Sequence, residues 1–151
     1  MAAREGRARW SGDLMTGSGD LTVGQGNWTS SYAAGPRFHG VLPGFDDEPG
    51  TNPEELLATA HAACFSMALA LSLSGAGHPP RSIETTARVH LRNTDGMPTI
   101  EQIDLETTAD APGLEEQALA EHAMGAKTTC IISRALAGVG QINVAVTSAA
   151  G

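Results

Sequence analysis

A chain of 151 residues is long enough for one domain, here taken as 1–151, with a real buried core. Nine Lys and Arg against seventeen Asp and Glu leave a net charge of −8, which repels phosphate backbones and anionic bilayers and argues against nucleic acid and membrane as partners. There are only two cysteines, Cys64 and Cys130.

The basic run "AREGRARW" at the N-terminus leads into no apolar stretch, so a secretory signal is not expected and a cytoplasmic location is. In that compartment thiols stay reduced, and two cysteines are catalytic, redox-sensing or inert rather than a structural staple. Residues 6–24 alternate loosely around Trp10, Leu14, Leu21 and Val23 with glycines between, a pattern that predicts a hairpin or meander. Within it, "GSGDLTVGQG" lacks the Gly-Lys-Ser/Thr ending of a phosphate cradle and reads as a turn. The Gly- and Pro-dense stretch "AAGPRFHGVLPGFDDEPG" predicts a loop, with a short strand over residues 37–40. Its carboxylates Asp46, Asp47 and Glu48 read as a solvated loop.

The next segment, "TNPEELLATAHAACFSMALALSLS" (residues 51–74), predicts a long helix. Asn52 suits the cap, Pro53 the first helical position, and Glu55, three residues after the cap, completes a capping box. From Leu56 to Ser74 no Gly or Pro interrupts it, and Ala and Leu favour continuity. The apolar run at 56–73 approaches membrane length, but it is Ala-rich and broken by Thr59, His61, Ser66 and Ser72, which favours a core helix. Its apolar positions wrap most of the cylinder, so it should be buried on most sides. One small sheet covers a single face, and a second subunit is the natural supplier of the rest.

Further on, "TTARVHL" places Ala87, Val89 and Leu91 on one face of a half-buried strand. "TIEQIDLETT" predicts a second strand with a bulge, because Ile100, Ile103 and Leu105 break strict period two. Residues 114–137 predict helix interrupted near 125–129, and "QINVAVTS" a last strand with Ile142, Val144 and Val146 inward. Strands, long helix, strands, helices and strand make an α+β arrangement with a largely antiparallel sheet.

Cys64 and Cys130 are each consistent with a buried small hydrophobe or with a reactive thiol, and the letters alone leave both open. His61 lies one turn before Cys64 on the same face. As a metal pair they fall short of the three or four ligands a site needs, and His39, His78, His90 and His122 show no ligand spacing. Neither metal nor cofactor is expected, and His61 reads best as a satisfied core or interface histidine. No Gly-x-Ser-x-Gly elbow supports a serine hydrolase.

The residues do carry a family. "GTNPEELLATAHAACFSMALALSL" resembles the helix of the OsmC/Ohr thiol peroxidases, with their Gly-Thr-Asn-Pro-Glu opening followed by Ala-Cys-Phe. The histidine at 61 resembles the OsmC branch, as does the Arg-Phe loop "GPRFHG", and "AKTTCIIS" falls where the family keeps its second cysteine. The match runs over roughly residues 6–148. It implies an OsmC-like fold, a sheet wrapped around long buried helices in an intertwined homodimer. It also implies a cysteine-based peroxidase of the antioxidant stress response, acting on organic hydroperoxides and more weakly on hydrogen peroxide. By position, Cys64 is the peroxidatic thiol, Cys130 the resolving one, and Arg37 and Glu54 the family's site pair. An external dithiol, such as the lipoylated proteins that serve the Ohr branch, would reduce the product. One departure stands out: Ile131 replaces the proline that usually follows the second cysteine. Without it, Cys130 is expected to sit deeper in a helix.

The chemistry asks for a thiolate near neutral pH. A guanidinium about 4 Å away is worth roughly 4 kcal/mol at an effective dielectric near 20, which Arg37 can supply if Glu54 holds it in a bidentate pair. Phe38, Phe65 and Met67 are candidates to favour an alkyl hydroperoxide. In one unbroken helix Glu54 and Cys64 lie about 15 Å apart along the axis and point roughly 80° apart, which favours Glu54 and Cys64 serving one site from different chains. The alternatives are a slow-turnover hydroperoxide sensor or binding module on the same fold, and a structural dimer with inert thiols.

Overall fold

The computed structural model describes residues 3–26, 28–46 and 49–149; Asp47 and Glu48 of the acidic loop lie outside the described residues. In chain order the elements are β1 (Gly6–Ser11), β2 (Ser18–Val23), β3 (Trp28–Tyr32), α1 (Gly35–Phe38), α2 (Pro53–Gly75), β4 (Ser82–Thr94), β5 (Met97–Asp110), α3 (Glu116–Thr129), α4 (Ile131–Ala135) and β6 (Gln141–Ser148). The α+β class is as expected. Two compact units arise, one reaching to Leu56 with Asn93–Pro98, the other Leu57–Arg92 with the chain from Thr99 onward.

The first unit is built on the antiparallel sheet β1-β2-β3, with Gly6 opposite Val23 and Gly19 opposite Tyr32. The β1–β2 turn is closed by Asp13, whose carboxylate accepts the N–H groups of Met15 (2.8 Å) and Thr16 (3.0 Å) and the Thr16 hydroxyl (2.7 Å). Gly19 is required under the Tyr32 ring, because a Cβ there would stand 2.2 Å from Tyr32 Cε1. That close approach lays Tyr32 beside Trp10, ring centroids 5.4 Å apart.

The short strand expected over residues 37–40 is instead the end of helix α1. Pro36 near its start presets helical φ, and the Ala34 carbonyl accepts from the N–H groups of both Arg37 and Phe38, at 3.1 and 3.0 Å. His39 then returns to extended backbone and Gly40 turns at φ 72°. A single turn of helix fits between Gly35 and Gly40 where the letters show only loop composition.

The second unit holds the core. In α2, His61, Phe65, Leu69 and Leu73 recur every four residues and are the buried stripe. Phe65, Leu69 and Leu73 pack with Leu105, Ala109, Leu119, Ala123, Ala126 and Cys130. By length and composition α2 could cross a membrane. It is instead tied sideways by polar bonds from Ser66 to Thr85 (2.8 Å) and between Ser72 and His122 (2.8 Å), as suits a core helix. Its other face is open within one chain, with Met67 73% and Leu71 76% exposed.

Strands β4, β5 and β6 form the second sheet in that order. β5 holds period two from Ile103 through Leu105 and Thr107 to Ala109, all buried, and Ile100 falls out of that phase. β5 and β6 are parallel, Ile103 beside Ile142 and Leu105 beside Val144, because α3 and α4 carry the chain back across the sheet. The helical stretch is not broken near 125–129. Gly125 lies inside α3, and the Thr128 and Thr129 hydroxyls donate to the Met124 and Gly125 carbonyls, each at 3.2 Å, keeping the last turn helical. The break comes at Cys130, whose backbone is extended (φ −57°, ψ 121°). Cys130 therefore does not sit deeper in a helix for want of proline at 131. Its sulfur takes the Ser133 N–H as the cap of α4, which does locally what a proline would have enforced.

Candidate functional site

Two clusters contain the residues singled out from the sequence. In the first unit, Asn52 organises the start of α2. Its Oδ1 accepts the Glu55 N–H (2.9 Å), and its Nδ2 donates to the Pro36 carbonyl (3.2 Å), linking the α1 turn to the α2 cap. The Glu55 carboxylate accepts the Thr51 hydroxyl at 2.7 Å. Glu54, the second residue of α2, then meets Arg37. The expected bidentate fork does not form. Arg37 Nε (3.1 Å) and Nη2 (3.0 Å) both donate to Glu54 Oε1, and Glu54 Oε2 is buried with no hydrogen-bond partner. The guanidinium also lies 5.0 Å from the Phe38 ring centroid, and its edge straddles one carboxylate oxygen instead of facing both. The arginine side chain remains 40% exposed and the glutamate 12%.

Beside this pair is a mostly apolar cavity of about 220 Å³, lined by Trp10, Leu14, Tyr32, Phe38 and Arg37 among others. Phe38 is one of the three apolar candidates and lies here. Phe65 does not, being wholly buried in the core of the second unit, and Met67 lies on the open face of α2. Nothing in the letters marks Trp10, Leu14 and Tyr32 for this role. They come from a strand, a turn and a strand, and only the fold shows that they share one cavity.

The thiol cluster is in the second unit. Cys64 is half-buried and Cys130 fully so; both are free thiols. Cys64 packs against the core that contains Cys130, and Cys64 is among the neighbours that lower the Cys130 pKa. Burial pushes the Cys130 thiol up. Hydrogen bonds from the Ser133 hydroxyl, the Ser133 N–H, Cys64 and the Ile132 N–H outweigh it, leaving Cys130 more acidic than an ordinary cysteine.

His61 is not paired with Cys64. Its Nε2 is 2.7 Å from Ser133 Oγ, and its Nδ1 is buried without a hydrogen-bond partner. Burial pushes the imidazole's pKa down, so the ring is neutral. The core reading of His61 is therefore right in place and half right in satisfaction. Ser133 sits three residues after a cysteine at a helix start, the spacing of a cap. Among the described residues no group of three or more His, Cys, Asp or Glu could hold a metal ion.

The arrangement thus offers one cation beside an apolar cavity and, in one core, two thiols of which one is acidified. Comparison with known proteins points the same way. The family model for OsmC-like protein matches residues 44–145. Peroxiredoxin OsmC of Escherichia coli (strain K12) is 39% identical over 133 residues, 88% of this chain and 89% of that protein. The organic hydroperoxide resistance protein OsmC of Legionella pneumophila has the same fold, with a TM-score of 0.74 at 20% identity over 99% of this chain and 100% of that one. The organic hydroperoxide resistance protein OhrB of Bacillus subtilis gives a TM-score of 0.69 at 23% identity over 96% and 98% of the two chains.

Proposed function

The chain belongs to the OsmC-like family and is a thiol peroxidase, an oxidoreductase, and from that premise we propose that it reduces organic hydroperoxides through Cys64, with Cys130 resolving the oxidised thiol and Arg37 and Glu54 serving the peroxide. The Cys64 thiolate attacks the terminal peroxide oxygen, the O–O bond breaks, and the alkoxide leaves and takes up a proton to become the alcohol. Cys64 is left as a sulfenic acid. Cys130 displaces its oxygen as water, and an external dithiol, a lipoyl group being the apt chemical class, reduces the resulting disulfide.

The observation that carries this reading is the packing of Cys64 against the core that holds Cys130, the only other thiol of the chain. The more exposed member, Cys64, is the one a peroxide can reach. The guanidinium of Arg37 supplies the positive charge that both the thiolate and the departing alkoxide need. The cavity beside it offers an alkyl or aryl group a place to be buried, at about 25 cal/mol per Å² of apolar surface, an advantage hydrogen peroxide lacks. Ile131 leaves the resolving role intact in this reading, since Cys130 keeps an extended backbone without the proline.

The working unit is a homodimer in the cytoplasm. The uncovered Met67 and Leu71 support a second copy over α2, and a patch of that kind favours association. Because α2 is unbroken from Pro53 to Gly75, Glu54 with its Arg37 belongs to one chain and Cys64 to the other in each site. The test is stopped-flow consumption of cumene hydroperoxide and of hydrogen peroxide with a dithiol present. Rapid, repeated turnover with the organic peroxide preferred is expected. Consumption no faster than by free thiol in solution sinks the reading, and a single turnover despite excess dithiol would favour a sensor.

A further inference from the structure

Cys130 is acidified without a cation. Cys130 is 1% exposed, its sulfur is met by the Ser133 N–H at 3.5 Å, and the Ser133 hydroxyl is among the groups that lower its pKa. Behind Ser133 stands His61, wholly buried, its Nε2 2.7 Å from Ser133 Oγ. The unpartnered Nδ1 gives this chain of bonds a direction. A buried ring with one unmet nitrogen is better off leaving a lone pair unmet than an N–H. The tautomer assigned on that ground carries its proton on Nε2 and donates to Ser133 Oγ. With its oxygen so engaged, the Ser133 hydroxyl turns its own hydrogen onto Cys130.

We propose that His61 and Ser133 form a buried relay that fixes the Ser133 hydroxyl on Cys130 Sγ and holds Cys130 ready to attack oxidised Cys64, both being positioning residues. The proposal rests on the peroxidase reading and concerns its second step. In that step Cys130 Sγ forms a bond to Cys64 Sγ, the S–O bond of the sulfenic acid breaks, and hydroxide leaves and takes up a proton to become water. The electrons of the Cys130 thiolate are those that form the disulfide, so no further oxidant is needed. The same hydroxyl acts again in reduction. When the dithiol attacks Cys64, Cys130 departs as thiolate, and a stabilised thiolate is the faster leaving group. Cleavage of the O–O bond does not involve the relay.

The test uses the full chain with Ser133→Ala, Ser133→Thr, His61→Leu and His61→Gln, each checked for folding by thermal unfolding. Stopped-flow with cumene hydroperoxide separates sulfenic acid formation, followed with a sulfenate-trapping probe, from disulfide formation. Ser133→Ala should leave the first step unchanged and slow the second by about ten-fold or more, the usual effect of losing one hydrogen bond to a charged group. Ser133→Thr should restore it, and His61→Gln, which keeps a donor near Nε2, should exceed His61→Leu. In a Cys64→Ser background, the pH titration of Cys130 thiolate absorbance should move upward with Ser133→Ala. An unchanged second step and an unmoved titration in folded Ser133→Ala overturn the relay. So does equal slowing of both steps, which would make Ser133 a structural prop. If the wild-type chain consumes no peroxide, the peroxidase reading fails instead, and the Cys130 titration alone decides whether the relay exists.

Discussion

Arg37 reaches Glu54 from a four-residue helix with its side chain 40% exposed, whereas Cys130 meets Cys64 within a core where Phe65 and Ala126 are fully sealed. The two settings suit the two kinds of group. Sinking a guanidinium costs several kcal/mol unless every donor is met, so the cation stays half wet beside the apolar cavity. A thiol is a small hydrophobe that buries cheaply. It can then be made acidic by neutral donors held in place, as Ser133 and the Ile132 N–H do for Cys130. In the proposed reaction the first region would bind and release, and the second would keep two sulfurs in register.

If that division holds, damage to the two regions should fall on different steps. The largest effect belongs to Cys64→Ser, which should abolish peroxide consumption because a hydroxyl at neutral pH does not replace a thiolate. Its counterpart Cys130→Ser should still consume one equivalent of peroxide and then accumulate sulfenic acid, visible by mass spectrometry of the trapped adduct. Normal cycling of Cys130→Ser with a dithiol would show that the Cys64–Cys130 disulfide is dispensable. Next in size, Arg37→Ala should slow the peroxide step by about a hundred-fold, the scale of losing one electrostatic contact to developing charge. Disulfide formation from preformed sulfenic acid should be untouched. An unchanged rate of peroxide attack removes Arg37 from the site.

A mixing experiment sharpens the comparison by asking whether the two regions serve one site from one chain or from two. Glu54→Ala and Cys64→Ser subunits should each be nearly inactive alone. In a two-fold dimer mixed at random, half the molecules are heterodimers. If the site is shared across chains, each heterodimer regains one intact site of two, and activity recovers to about a quarter of wild type. If both residues act within one chain, every site lacks one of them and mixing restores nothing.

The part of this molecule legible from its letters is the part governed by local rules. The helix of residues 51–74 could be read from its Asn-Pro cap and its freedom from Gly and Pro, and the last strand from the alternation of Ile142, Val144 and Val146. The motif around Cys64 carried the family. What was not legible depends on placement across the chain. Residues 37–40 look like loop because one turn of helix leaves no period to count. The break at Cys130 is hidden from the letters because Gly125 is a weak breaker inside a helix that the last-turn threonines hold together. Ser133 and His61 are 72 residues apart, and nothing in either neighbourhood announces that they touch. Glu54 Oε2, left without a partner, is likewise visible only once the side chains are in place.

The smallest effect tests the seam between sequence and site. Asn52 is buried and does two things at once, capping α2 through Oδ1 and holding the Pro36 carbonyl through Nδ2. Replacing an Asn cap by Ala costs about 1 kcal/mol, and Asn52→Ala should lower stability by that order in a urea titration. Stability alone would not tie Asn52 to function, because any cap would do the same. The second contact makes the difference. With Nδ2 gone, the α1 turn that carries Arg37 loses its link to the helix that carries Glu54, so the peroxide step should slow a few-fold while disulfide formation stays as it was. Asn52→Asp separates the two roles. A carboxylate can still accept the Glu55 N–H, so the cap survives, but it cannot donate to the Pro36 carbonyl. Asn52→Asp should therefore keep most of the stability and show the same slowing of the peroxide step. If Asn52→Asp reacts with peroxide as fast as wild type, the cap matters only for folding, and the position of Arg37 is set by the α1 turn itself.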